Sequence, residues 1–150
     1  MKIKIQSFQD LSTDELYAIL SLRSEIFVVE QDCVYQDIDF KDQKAWHISG
    51  YLNEELVAYT RVFKPGDYFN QASIGRVLVR ENKRSLKLGH IILEESINCI
   101  EKEFNTGSMQ ISAQSYLKSY YQKHGFKATG KEYLEDGIPH MEMIRKNSNV

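Results

Sequence analysis

A chain of 150 residues, 42% of them hydrophobic, is sized for one globular domain with a substantial core, and residues 1–150 are expected to form a single one. No run of about 18 apolar residues and no apolar leader is present, so neither a membrane span nor export is expected. Two cysteines make no disulfide framework, a reducing cytoplasm is the expected compartment, and a net charge of −2 with no basic face alternating with aromatics sets nucleic acid aside.

Met1–Gln6 alternates like a strand. Ser12 and Glu15 have capping-box spacing and open a helix running to about Arg23, with Leu16, Ile19 and Leu20 near helical period. From Ser24 to Ala45 the pattern mixes helix and loop without clear boundaries. Trp46–Leu52 and Leu56–Phe63 read as strands of a hairpin around Asn53-Glu54-Glu55, and Pro65-Gly66-Asp67 as a turn before a third strand, Ala72–Val79. A helix over Leu88–Phe104 carries two apolar rows, Leu93-Ile97-Ile100-Phe104 and Leu88-Ile92-Cys99, so it is expected to be covered on two sides. Asn105-Thr106-Gly107 ends it. Met109–Ala113 is a strand, Ser115–His124 a short helix stopped by Gly125, and the rest a strand pair around Asp136-Gly137-Ile138-Pro139. Early strands followed by alternating elements give a mixed α/β sheet.

The segment Ile74–Phe104 says most about function. An apolar strand enters a loop carrying Arg80, Lys83, Arg84 and Lys87 against one acid, Glu81, and the loop opens a helix at Gly89. Unpaired helix N–H groups and the positive end of the helix dipole then face the same place as the cations, which makes an anion site. The ligand expected there is phosphorylated. Charge is also uneven along the chain. Residues 1–75 carry 7 Lys and Arg against 12 Asp and Glu, a net of −5, whereas residues 76–150 carry a net of +3. Six acids, Glu25, Glu30, Asp32, Asp37, Asp39 and Asp42, stand against Lys41 alone between positions 25 and 42. Lobes of opposite sign fit an anionic cofactor and a cationic co-substrate, although a run of acids is also what a solvated face looks like.

Arg84-Ser85-Leu86-Lys87-Leu88-Gly89-His90 resembles the acetyl-coenzyme A loop of the GNAT N-acetyltransferase superfamily, (Gln/Arg)-x-x-Gly-x-(Gly/Ala). Arg84 and Gly89 stand in place, Lys87 takes a glycine position, and His90 follows where Gly or Ala is common. Tyr120-Tyr121-Gln122-Lys123-His124-Gly125-Phe126 resembles the family's late (Phe/Tyr)-Tyr-x-x-x-Gly-Phe helix end. The stretches Ile26–Gln31, Tyr35–Asp39 and Glu135–His140 resemble the ElaA-like branch. The likeness covers nearly the whole chain. It implies the GNAT fold, a mostly antiparallel central sheet flanked by helices and splayed between the strand ending at Val79 and the strand at 109–114, with acetyl-CoA in the cleft.

By that resemblance, the backbone of Asn82–His90, Arg84 and Lys87 hold the pyrophosphate, with Leu88, Gly89 and His90 at the helix start. The edge of Leu78-Val79 pairs with the pantetheine arm, and an N–H near Val79 faces the oxyanion. Tyr121 is the general acid for the departing thiolate, since a phenol of pKa about 10 can protonate a thiolate of pKa about 8–9 at modest cost. Tyr116 and Tyr120 share its helix, and packing is the alternative for all three. Glu30, Asp37, Asp39, His47 and His140 are the candidates for the acceptor site. The base stays open among Glu30, His47, Asp37, Asp39, Glu142 and water, and His47, in an apolar stretch, also reads as a hydrogen-bonded core residue. No histidine pair has metal-ligand spacing, so no metal is expected. The function implied is acetyl transfer from acetyl-CoA to a primary amine on a cationic small molecule or a protein, directly within a ternary complex, because no cysteine lies in the cofactor motif. A non-catalytic acyl-CoA or amine sensor on the same fold is the alternative. The acceptor and the oligomeric state, a homodimer included, stay open.

Overall fold

In the computed structural model, which describes residues 1–146, the N-terminal alternation becomes β1 (Lys2–Ser7) and the capping box becomes the start of α1 (Thr13–Arg23). The Glu15 N–H donates to Ser12 Oγ at 3.0 Å, and the Ser12 N–H donates to Glu15 Oε1 at 2.9 Å. The helix does not stop at Arg23. It widens into a π-helical turn over Ser24–Glu30, the stretch whose boundaries the sequence pattern left undefined.

Next come β2 (Trp46–Leu52) and β3 (Glu55–Phe63). Asn53 and Glu54 both take positive φ, 49° and 68°, so the hairpin closes on two residues and Glu55 already belongs to the strand. β4 (Ser73–Val79) completes an antiparallel sheet in the order β1-β2-β3-β4. β3 is buried on both faces. Ala58, Thr60 and Val62 look toward α2 (Leu88–Glu103), whereas Tyr59 packs with Ile19, Leu22 and Ile26 of α1 and its extension. Both apolar rows of α2 are used, with Leu88, Ile92, Leu93, Ile97, Cys99 and Ile100 all buried.

A second antiparallel sheet has the order β5-β7-β6, from β5 (Met109–Gln114), β6 (Lys127–Glu135) and β7 (Ile138–Arg145). The Asp136-Gly137 turn has φ of 51° and 78°, so Ile138 and Pro139 lie in β7 rather than in the turn. Between β5 and β6, α3 (Lys118–Gln122) is shorter than the pattern suggests, because Ser115–Leu117 forms a tighter 3₁₀ turn. Gly125 ends the segment at φ +90°.

The two sheets meet where Ala72 bridges Met109 in parallel, the Gln110 N–H donating to Ala72 O at 2.9 Å, and they part from that point. This is the splay the resemblance implies. Register against β3 shifts by one residue at Arg76 (φ 51°), leaving Arg76 and Val77 without partners and marking a bulge at the cleft.

Candidate active site

A cleft of about 420 Å³ opens where β4 and β5 diverge. Its floor is the edge of Val77–Val79. The Arg80 N–H donates to Val57 O at 2.7 Å, so that pair is the hydrogen-bonded one and Val79 opposite Ala58 is not. The N–H and C=O of Val79 therefore face the open edge, and the carbonyl accepts from Arg84 Nε at 3.1 Å. Leu78 lines the cleft too, while its side chain packs in the core with Ile19, Leu22 and Ile26.

The basic loop coils as a 3₁₀ turn over Glu81–Leu86 and delivers Lys87 at φ 57°, ψ 29°, in the left-handed region where glycine is unstrained. α2 starts there with no side-chain cap and no acid in its first turn, so its first amides keep their donor capacity. Leu88 is buried and can offer only backbone. Neither φ nor packing requires Gly89 to be glycine, because a Cβ there would sit at ordinary distances, 3.5 Å from Tyr120 Oη and 3.7 Å from Val79 Cγ2. Glycine inside a helix costs about 1 kcal/mol relative to alanine. What Gly89 provides is close approach to backbone on the cleft side. His90 also lines the cleft, and its Nδ1 lies 2.8 Å from His124 Nε2, whose ring reaches Glu94 Oε1 at 2.7 Å.

A smaller chamber of about 100 Å³ adjoins the cleft and shares Phe27, Gln31, Val77, Gln114 and Leu117 with it. Tyr121 enters it from α3. Burial raises its phenol pKa above the ordinary value, and no described residue hydrogen-bonds to its hydroxyl. Tyr120 is committed differently, its hydroxyl donating to Gly89 O at 2.6 Å from the cleft side. His140 lines the chamber from β7, with Nδ1 2.7 Å from Ile138 O and Nε2 3.2 Å from Glu135 Oε2.

The other expected acceptor residues lie elsewhere. His47 is wholly buried in β2 between the Tyr59 hydroxyl (2.6 Å) and Asp42 O (2.9 Å), and burial lowers its pKa; it is a core histidine. Asp37 and Asp39 are not free rim charges. Asp37 accepts from Arg23 Nε at 2.9 Å and Arg76 Nε at 2.7 Å, and Asp39 from Arg61 Nη2 at 2.6 Å. With Asp42 bridging Arg23 and Arg61, three acids and three arginines neutralise one another. Glu30 stands in the cofactor cleft rather than the acceptor chamber, paired with Arg84. The acids that do line the chamber are Glu135 and Asp136, from the β6–β7 hairpin, to which the sequence pattern gives no catalytic or binding role. Both fall in the Glu135–His140 stretch, but the approach of Glu135 to Ser112 depends on strand register that local pattern does not show. Among the described residues no cluster of side chains could hold a metal ion, and no helix is long and apolar enough to cross a membrane.

Residues 9–146 match the family described as acetyltransferase (GNAT) domain. The chain is 41% identical to Protein ElaA of Escherichia coli (strain K12), over 91% of each chain. The crystal structure of Escherichia coli ElaA superposes with a TM-score of 0.90 at 38% identity, covering 97% of this chain and 99% of that one. An acyl-CoA N-acyltransferase from Pseudomonas aeruginosa gives 0.90 at 37% identity, with the same coverage. The chain belongs to the GNAT acetyltransferase family, a family of acyl-CoA-dependent acyltransferases.

Proposed function

We propose that the protein transfers an acetyl group from acetyl-CoA to a primary amine on a cationic acceptor, directly and within a ternary complex. One observation carries this reading. A helix start free of caps and acids, flanked by Lys87 and Arg84, leads along the open Val79 edge into a chamber holding an uncommitted tyrosine hydroxyl.

The α2 amides and Lys87 fit a diphosphate, and Gly89 keeps the backbone accessible to it. The thioester supplies the acyl group. The Val79 N–H is placed to stabilise the carbonyl oxygen as charge develops there. Burial keeps Tyr121 protonated at neutral pH, and its hydroxyl, without another partner, lines the chamber as the donor to sulfur as the thiolate departs. The balanced Arg–Asp cluster leaves Glu135 and Asp136 as the acids that favour a cationic amine in the chamber.

Thiol release from acetyl-CoA, measured with a panel of cationic, neutral and anionic primary amines, tests this. Release that depends on cationic amines is expected. Tight acetyl-CoA binding with no release toward any amine would replace the enzyme with a sensor.

A further inference from the structure

We propose that His140, oriented by Glu135, is the general base that removes the proton from the acceptor ammonium; this rests on the acyl-transfer reading. The argument is hydrogen-bond bookkeeping at four side chains. A carbonyl oxygen only accepts, so the 2.7 Å contact from His140 Nδ1 to Ile138 O places a proton on Nδ1. In the neutral ring Nε2 is then a bare lone pair. Glu135 Oε2, 3.2 Å away, is an ionised acceptor as well. Two acceptors at that distance call for a donor, and a protonated amine in the chamber supplies one to both.

The carboxylate is held for this role. Its Oε1 lies 3.2 Å from Ser112 Oγ, and because a carboxylate cannot donate, Ser112 must. The Tyr133 hydroxyl, 2.6 Å from the same Oγ, is therefore the donor to Ser112. The Tyr133 ring stacks on His140 with centroids 6.4 Å apart. The tight Asp136-Gly137 turn sets this up by pairing Tyr133 with His140 and Glu135 with Ile138. His140 is 7% exposed whereas the Glu135 side chain is 45% exposed, so the ring works out of bulk water and its proton leaves past Glu135. Other charged or titratable groups line the chamber: Arg76 and Tyr35, both tied to Asp37, then Asp136, Cys33 and Tyr121. Glu142, two residues beyond His140 along β7, is held by Gln110 and Thr129.

The proton count closes. The ammonium gives one proton to His140 Nε2, and the freed nitrogen pair forms the C–N bond. The C–S pair leaves on sulfur, which takes the Tyr121 proton, and the second nitrogen proton restores the phenol. One thiol, one amide and one released proton result.

The test compares wild type, His140→Gln and Glu135→Gln with acetyl-CoA and two acceptors. One is the cationic alkylamine with the fastest thiol release, and the other is methoxyamine, which is unprotonated at neutral pH and needs no base. For the alkylamine, kcat/KM should fall about 10²–10⁴-fold in His140→Gln and lose its decline toward acid pH. Glu135→Gln should fall less and displace the same limb. Methoxyamine should lose under about tenfold, and calorimetric acetyl-CoA affinity should not move. Variants that match wild type on the alkylamine across pH would overturn the base while leaving the transferase standing. Wild type that releases thiol with no amine would overturn both.

Discussion

Arg84 and Glu30 face each other across the cofactor cleft, Nη2 to Oε2 at 2.7 Å, where the diphosphate is proposed to lie. Both side chains are substantially exposed, so the pair contributes little to folding and its interest is competitive. Glu30→Gln releases the guanidinium and should tighten acetyl-CoA binding several-fold. The double variant Arg84→Ala, Lys87→Ala should weaken it by about 1–3 kcal/mol, the scale of hydrogen bonds to charged groups. Calorimetric titration reads both. Unchanged affinity in the double variant would move the diphosphate out of this loop.

Tyr120 and Tyr121 are neighbours with opposite commitments. Tyr121→Phe removes a hydroxyl without a partner and should leave Tm nearly unchanged while kcat falls by about 10²–10⁴ with little change in KM. Tyr120→Phe breaks the hydrogen bond to Gly89 O and should act mainly on acetyl-CoA KM through the helix start. Identical kinetics for the two variants would return Tyr121 to the core.

His90 gives the cofactor site a pH dependence. Burial, then His124, Lys123 and Lys87, lowers its pKa, so the ring is neutral in the free protein at pH 7. With a neutral His124 donating from Nδ1 to Glu94, its Nε2 accepts from His90 Nδ1, which leaves His90 Nε2 as an acceptor until a proton arrives. A bound diphosphate favours the protonated ring. Acetyl-CoA binding should take up protons near pH 7 and tighten as pH falls toward 6. Titrations in buffers of different ionisation enthalpy count them, and His90→Asn should abolish the uptake.

The Arg–Asp cluster predicts stability. Asp42 Oδ1 accepts from Arg23 and Arg61, each at 2.8 Å, both buried. Asp42→Asn would leave two buried cations short of a counter-charge and should cost roughly 3–5 kcal/mol. Burial raises the Asp39 carboxyl pKa, but Arg61 foremost, then the Lys41 amide and Arg76, bring it down to about 2; Arg23 and Arg61 likewise hold Asp42 low against burial. A carboxylate lowered on folding stabilises fully above its unfolded value and loses that contribution as pH falls through the folded one. Thermal melts should therefore drop between about pH 4 and pH 2. A flat Tm over that range would contradict the pairing.

What the sequence reveals follows how local each interaction is. The Ser12–Glu15 box and the Asn53-Glu54 turn lie within a few residues, and their chemistry names them. The acidic run Glu25–Asp42 suggests an exposed rim because its partners, Arg23, Arg61 and Arg76, arrive from three elements as far as 39 residues away. His47 reads equally as core or site until Tyr59 and Asp42 are brought to its two nitrogens. Glu135 gains meaning only through a hairpin register that sets it beside both His140 and Ser112. Periodicity alone does not separate two sheets at Ala72; the resemblance implies that splay, and the bridge to Met109 shows where it begins.

Direct transfer is tested most sharply by the intact mass of the protein after incubation with acetyl-CoA, first alone and then with the fastest cationic amine, alongside counts of free thiol and acetylated amine. The account predicts no acetyl adduct on the protein without amine, and one thiol released for each amine acetylated once it is added. An acetylated protein that forms without amine, at Cys33 in the chamber wall or elsewhere, and then loses its acetyl group to amine would contradict the ternary complex.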